Sequence, residues 1–289
     1  MPELPEVEVV KRSLNNKVQN LIIKKVKICD YRLRYTVDKI RIKKIVGLKL
    51  KNIERRSKFL LFFFNKDIIM LVHLGMTGKF FFINKKKIKF KTSFYYNIDE
   101  TKDQKHDRII FFFNNNQKLI YNDVRKFGFI KFLKNKDCIN NLHLKNLGPE
   151  PLGKKFDWFY CKRYFRGKNR TVKDILMDQK FVSGIGNIYA NEILFLSKIK
   201  PNRNVRNLKI FELKNIVKFT RDVLKKAIKL GGSSIKDFSS TNGKKGSFQQ
   251  HFNVYGKKAD TCSNKGCSGK IIKLKISNRA TYFCSKCQK

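Results

Sequence analysis

The sequence predicts an α+β multidomain protein: a helix and a β-sandwich or barrel first, a helical domain next, and a small β-hairpin last. Three observations predict it. Short apolar or alternating runs, bounded by Asn, Gly and charges, fill residues 1–134. At Leu147-Gly-Pro-Glu-Pro151 the texture changes, and beyond this punctuation the apolar spacing becomes helical. Finally, four of the seven cysteines, Cys262, Cys267, Cys284 and Cys287, stand in two close pairs near the C-terminus.

The elements follow in order. The chain opens with a helix: Pro5 suits a first turn, Glu3 and Glu6 favour the positive end of the dipole, and Val7, Val10 and Leu14 share a face. Strands are expected over residues 21–28, 44–50, 59–64, 68–74, 80–83, 108–113 and 118–121, with Asn114-Asn115-Asn116 as a hairpin turn. Helices are expected over 172–178, 186–197 and 208–230. The last of these points Ile210, Leu213, Val217, Leu224 and Ile228 inward and stops at Gly231-Gly232. A Gly/Ser/Lys-rich loop, 231–250, precedes the terminal hairpin. The expected domains are therefore 1–134, a hinge at 135–150, 151–250 and 251–289.

Charge narrows the partners. In 289 residues, 66 Lys+Arg against 22 Asp+Glu leave a net +44, while 42% hydrophobic and 13% aromatic residues exclude a disordered polycation. Lys supplies 51 of the cations and Arg only 15, as an A·T-biased coding sequence would produce, so many lysines are solvated surface. A polyanion remains the favoured partner, with nucleic acid ahead of an anionic membrane surface. No stretch approaches about 18 uncharged apolar residues, and the acidic, Pro-rich start is unlike a secretory signal. A soluble, cytoplasmic protein is expected.

The cysteines read C-x4-C, sixteen residues, then C-x2-C. Two close pairs across a hairpin-length spacer can hold one structural Zn²⁺; two disulfides are the alternative, which a reducing cytosol disfavours. Within the spacer, Lys270–Ile276 alternates, Ser277-Asn278 turns and Ala280–Phe283 returns, with Arg279 at the tip. That arginine is either solvent-exposed filler or a cation presented on a rigid platform.

The N-terminus is the other unusual feature. Loss of Met1 would leave Pro2 with a free secondary amine, whose pKa of about 7.7–8.0 keeps much of it neutral near pH 7. Such an amine can attack a sugar C1′ to give an iminium, with Glu3 and Glu6 one turn away as acid/base groups. The alternative is that these residues only start a helix. Further along, Gly186 and Asn187 sit at a Gly-rich turn between helices, a helix–turn–helix-like phosphate clamp. Arg125-Lys126-Phe127-Gly128 suits a wedge entering a duplex, and Met76 in His73-Leu-Gly-Met-Thr-Gly78 is a second probe or a core residue.

These motifs together resemble one family. Met-Pro-Glu-Leu-Pro-Glu-Val-Glu at the start, His73–Gly78, Arg125–Gly128, Leu147–Leu152, Gly184–Ala190, Gly231-Gly232, Lys236–Phe238, Val254–Gly256 and the terminal four-Cys hairpin occur in the order found in bacterial formamidopyrimidine-DNA glycosylase. The resemblance spans essentially the whole chain, and Leu4 separates it from the endonuclease VIII branch, which carries Gly there. It implies an N-terminal helix plus β-sandwich domain, a C-terminal helix-two-turn-helix domain with a β-hairpin zinc finger, and DNA bound between them.

It further implies a bifunctional glycosylase/AP lyase that removes oxidised purines from damaged double-stranded DNA. Pro2 is then the Schiff-base nucleophile, Glu3 the acid/base, Lys58 a helper in β-elimination, and Arg279 the residue of δ-elimination and phosphate binding. Glu6 and Lys173 lie near the site. His106, Arg125, Lys168 and Asn187 contact DNA, and Met76, Arg125 and Phe127 fill the gap left by the extruded nucleotide. The loop around Lys236–Gly246 closes over the flipped base. One structural Zn²⁺ on Cys262, Cys267, Cys284 and Cys287 is the expected cofactor, with no organic cofactor. A bacterial, cytoplasmic monomer that reaches the nucleoid through DNA is expected. Two departures stand out: Lys126 replaces a second Arg, and the first zinc pair is C-x4-C rather than C-x2-C.

Overall fold

A computed structural model describes residues 1–83, 89–92, 104–138, 140–233 and 247–289. The chain divides into two compact units, Met1–Lys145 with Ile228–Gln249, and Asn146–Ala227 with Gln250–Lys289. Among the described residues no helix is long and apolar enough to cross a membrane.

The first unit begins with α1 (Leu4–Val18), which has Pro5 in its first turn and a reciprocal capping box between Glu3 and Glu6. Val7, Val10, Leu14 and Val18 are buried along one face. Two antiparallel sheets follow. One orders β2 (Leu50–Arg56), β3 (Phe59–Phe64), β4 (Ile68–His73) and β9 (Phe129–Lys134). The other orders β1 (Ile23–Ile28), β7 (Asp107–Phe113), β8 (Lys118–Asn122), β5 (Lys79–Ile83) and β6 (Lys89–Thr92). Leu60, Phe62 and Val72 of the first sheet share one core with Phe80, Phe111 and Tyr121 of the second and with the α1 face. The arrangement is a sandwich, bridged at one corner by Ile22 and Lys49. The first sheet is also covered on its outer face, where Leu61, Ile69, Leu71 and Phe129 pack with Leu144. Burial on both faces explains the unbroken apolar runs of β3 and β4.

One expectation needs correction, and two strands come in addition. Residues 44–50 do not form a strand: α2 (Lys39–Lys43) precedes them, capped by the Asp38 carboxylate on the Ile40 and Arg41 amides. The buried residues there are Ile42, Ile45 and Leu48, spaced by three, so the segment turns instead of alternating, and the strand starts at Leu50. Strands β6 and β9 were not anticipated; in β9, Lys131 and Lys134 interrupt an otherwise apolar pattern. The Asn114–Asn116 turn forms as expected, with Asn116 at φ 63°.

In the second unit, α3 (Trp158–Phe165) is capped by Asp157 and had no signal in the apolar spacing. Its Tyr160 ring stacks on Phe181 at 5.7 Å and its hydroxyl donates to the Phe181 carbonyl at 2.7 Å. The helices α4 (Val172–Met177) and α5 (Asn187–Leu196) match the expected spans within two residues. Along α6 (Ile210–Lys229), Leu213, Ile216, Val217, Thr220, Val223, Leu224 and Ala227 form the buried stripe. Ile210, expected inward, is 45% exposed because it lies in the first turn before that stripe begins. The terminal hairpin pairs β10 (Ile271–Ile276) with β11 (Arg279–Cys284). Ser277 and Asn278 take φ 47° and 58°, the two left-handed residues of a tight hairpin turn.

Candidate active site and metal centre

The start of α1 gathers the first set of groups. Pro2, Glu3 and Glu6 are all buried. The Met1 amine is held below its ordinary pKa by burial; Glu3 and Glu6 oppose that shift, while Lys58 and Arg125 reinforce it. These four side chains therefore act electrostatically on one amine. Glu6 is fully engaged: Oε2 accepts from the Glu3 amide at 2.9 Å, and Oε1 accepts from the Ser233 amide and hydroxyl at 2.8 and 2.9 Å. It fixes the helix start and the residues leading into the 231–250 segment. The expected closing loop, Lys236–Gly246, lies outside the described residues.

Lys58 occupies a two-residue hairpin loop between Arg56 and Phe59, with Ser57 at φ 57°. It is 6% exposed. The loop is held from α1: the Glu8 carboxylate pairs with Arg55 at 2.9 Å, and Arg55 Nη1 donates to the Ser57 carbonyl at 2.9 Å. Burial raises the Glu8 carboxyl, but Arg12 and Arg55 outweigh it and leave the pKa lowered. Beside this loop, burial and the Lys58 charge push the His73 imidazole down to about 4, so it is neutral near pH 7. Its Nδ1 accepts from the Gly75 amide at 3.1 Å.

Met76 and Phe127 are 37% and 44% exposed, and Arg125 joins them. Its Nη1 lies 3.2 Å from Met76 Sδ and its guanidinium 4.5 Å from the Phe127 ring centre. Met76 is thus not a core residue. Lys126 is drawn away to Asp30, 2.7 Å from Oδ2. His106 is half-buried, with Nδ1 3.3 Å from Arg108 Nη2.

In the second unit, Lys173 is 1% exposed and its ammonium donates to Thr281 Oγ1 at 2.5 Å and the Ala280 carbonyl at 3.3 Å. Thr281 Oγ1 donates in turn to the Arg279 carbonyl at 3.1 Å. Asn187, the first residue of α5, donates to the same Ala280 carbonyl at 3.0 Å, and Asn191 accepts from the Tyr282 amide at 2.8 Å. Three polar side chains of α4 and α5 thus hold the backbone beside exposed Arg279. Lys168 lies on the loop after α3, its Nζ 4.6 Å from the Tyr164 ring centre.

The four terminal cysteines place their sulfurs within 4.8 Å of one another. Cys262 and Cys287 are 3.7 Å apart, Cys267 and Cys284 3.6 Å apart, too far for S–S bonds. Four thiolates around one metal ion at about 2.3 Å stand about 3.8 Å from one another, so the set fits a tetrahedral ion. Asn264 Nδ2 donates to Cys287 Sγ at 3.1 Å and the Gly269 amide to Cys267 Sγ at 3.4 Å. A Cβ at Gly269 would come within 2.6 Å of Cys284 Sγ, so only glycine fits beside the cluster.

The sequence model of the formamidopyrimidine-DNA glycosylase N-terminal domain matches residues 1–130, and that of its H2TH domain matches 147–239. The chain belongs to the formamidopyrimidine-DNA glycosylase family. Formamidopyrimidine-DNA glycosylase of Rickettsia bellii is 39% identical over the full length of both chains, and that of Rickettsia felis is 40% identical over 100% of this chain and 98% of its own. Among solved structures, a Lactococcus lactis Fpg variant bound to DNA containing Fapy-dG superposes with a TM-score of 0.86, at 31% identity and full coverage of both chains. Lactococcus lactis Fpg bound to DNA with an abasic site gives 0.85, at 31% identity and 99% coverage of both. For a member of this family, the residues that sequence reading missed are those behind the site: Glu8, Thr77 and Asp123. Glu8 and Thr77 fall within quoted motifs, but the contacts Glu8–Arg55 and Thr77–Asp123 span 47 and 46 residues of sequence and exist only in the fold.

Proposed function

We propose that this protein is a bifunctional DNA glycosylase/AP lyase of base excision repair, which excises 8-oxoguanine and formamidopyrimidines from double-stranded DNA. The observation that carries this reading is the burial of Pro2 and Glu3 at the head of α1, next to the Met1 amine on which the charges of Glu3, Glu6, Lys58 and Arg125 act. With Met1 removed, the Pro2 nitrogen uses its lone pair to attack C1′ of the damaged nucleotide. The bond to the base breaks, the base leaves with the electron pair and takes up the proton lost from the Pro2 nitrogen, and Glu3 then protonates O4′ as the C1′–O4′ bond opens, leaving C1′ doubly bonded to that nitrogen. The iminium at C1′ acidifies C2′–H. Loss of that proton expels the 3′ phosphate, and a second elimination, aided by Arg279, expels the 5′ phosphate. Lys58 assists the first elimination.

The reading gives the four cysteines one structural zinc, which stabilises the hairpin; Cys262, Cys267, Cys284 and Cys287 would hold it. It gives His106, Arg125, Lys168 and Asn187 the DNA backbone, and Met76, Arg125 and Phe127 the gap in the duplex. It places the protein as a monomer without organic cofactor in a bacterial cytoplasm, at the nucleoid.

Incision of paired duplexes tests the substrate. An 8-oxoguanine·cytosine duplex is expected to be nicked faster than one carrying thymine glycol; the reverse preference makes the chain endonuclease VIII-like. Lys173 tests the second unit. Its buried ammonium supports the backbone of Arg279 through Thr281. Lys173→Met is expected to lower incision about tenfold, the equivalent of about 1.4 kcal/mol in the barrier, with bound metal unchanged. Undiminished incision would show that Asn187 and Asn191 suffice to hold Arg279.

A further inference from the structure

Two loops of the first unit carry the exposed trio, Leu74–Gly78 with Met76 and Asp123–Gly128 with Arg125 and Phe127. They interlock at the backbone: Gly75 has φ 62°, and a Cβ there would stand 2.4 Å from the Gly128 nitrogen. One buried carboxylate lies between them. Asp123 is 0% exposed. Its Oδ1 accepts from the Thr77 hydroxyl at 2.5 Å, and its Oδ2 accepts from the Gly128 amide at 2.8 Å. The Thr77 oxygen accepts in turn from the Arg125 amide at 3.0 Å. The backbone of Asp123 reaches a third element, since its amide donates to the His106 carbonyl at 3.1 Å and its carbonyl accepts from Arg108 Nε at 2.9 Å.

One residue is therefore bonded, directly or through a single atom, to the segments that carry Met76, Arg125, Phe127 and His106. We propose that Asp123 is the positioning residue of the DNA-opening wedge, setting the two loops in the register where Arg125 meets both Met76 and Phe127. This rests on the glycosylase reading above. Extruding a nucleotide costs unstacking and unpairing energy. A wedge whose parts are already held together offsets that cost without first losing its own conformational freedom. Asp123 itself, wholly buried, touches no DNA. Its carboxylate is the group that couples the probe on one loop to the cation and aromatic on the other. Thr77, from the opposite loop, relays that hold to the Arg125 backbone.

The test separates wedge action from chemistry. A preformed abasic site in a single strand needs no wedge, because no duplex has to be opened, yet it still reacts with the N-terminal amine. Asp123→Ala removes both acceptors. Thr77→Val keeps the carboxylate and its bond to Gly128 but cuts the link to Arg125, and it serves if the alanine variant fails to fold. Asp123→Asn keeps the shape and one acceptor. In single-turnover excision from an 8-oxoguanine·cytosine duplex, Asp123→Ala is expected to lose tenfold or more and Thr77→Val several-fold, with Asp123→Asn between wild type and alanine. Borohydride trapping on the single-stranded abasic oligonucleotide is expected to stay within twofold of wild type in each variant. Parallel losses on both substrates, or none on the duplex, would overturn the assignment. A wild-type chain that traps no abasic strand would overturn the glycosylase reading, and the wedge with it.

Discussion

Cys284→Ser is expected to abolish strand incision and release the metal while the first unit stays folded. The reason is the size of what the metal holds. The cluster around the hairpin contains Phe195, Val254, Cys262, Ile271 and Cys284 as its buried members, so two of its five are themselves thiols. So small a core cannot order a hairpin unaided, and a structural zinc contributes about 10–16 kcal/mol of apparent binding energy to such a fold. Loss of one ligand leaves β11 without its anchor and frees the backbone of Arg279 and Thr281. Lys173, Asn187 and Asn191 then lose the partners that they hold in common on that strand. The first unit keeps its own core of α1 and two sheets. Metal analysis is expected to fall from one zinc per chain toward none. Hydrogen exchange in β3 and β4 is expected to remain unchanged. Full incision by a zinc-free chain would show that Arg279 needs no platform.

The second large effect belongs to Pro2. A chain that keeps Met1 has an amide nitrogen at Pro2, with no lone pair to attack C1′, and is expected to give no covalent adduct. Pro2→Gly restores a free amine of a different class and is expected to recover only a small fraction. In the chain that keeps Met1, burial lowers the pKa of the Met1 amine, against the pull of Glu3 and Glu6 and with the help of Lys58 and Arg125; the Pro2 amine of the processed chain, one residue on, is expected to be lowered in the same direction. A lowered pKa means that the neutral, nucleophilic form persists below the pH at which an ordinary α-amine becomes protonated. Adduct formation is therefore expected to fall on the acid side only as the pH drops through that lowered value, read as trapping rate against pH. Glu3→Gln removes the proton exchange and is expected to slow base release by about 10²–10⁴-fold.

What the sequence made legible was chemistry carried by rare residues at fixed spacing. The four cysteines stand out because few residues resemble them, and their sulfurs do come within 4.8 Å of one another, while Ser277-Asn278 marked a turn whose left-handed φ values only certain residues tolerate. Element type was readable where one face is buried at a clean period, as along α1 and most of α6. It was lost where spacing by three, at Ile42, Ile45 and Leu48, passed for a strand, and in α3, where aromatic rings pack without a simple stripe. The supports were not readable. Asp123 meets Thr77 across 46 residues, and Lys173 meets Thr281 across 108, so both partnerships exist only once the fold is formed. The net +44 pointed to a polyanion as the partner, but with 66 Lys+Arg in the chain it singles out no particular residue.

The central claim is that the N-terminal proline forms the bond to DNA. Borohydride reduction on an 8-oxoguanine·cytosine duplex, followed by proteolysis and mass mapping of the linked peptide, tests it most directly. The nucleotide is expected on the peptide that begins at Pro2, attached through its nitrogen. Attachment at Lys58, Lys173 or any other lysine would contradict the account.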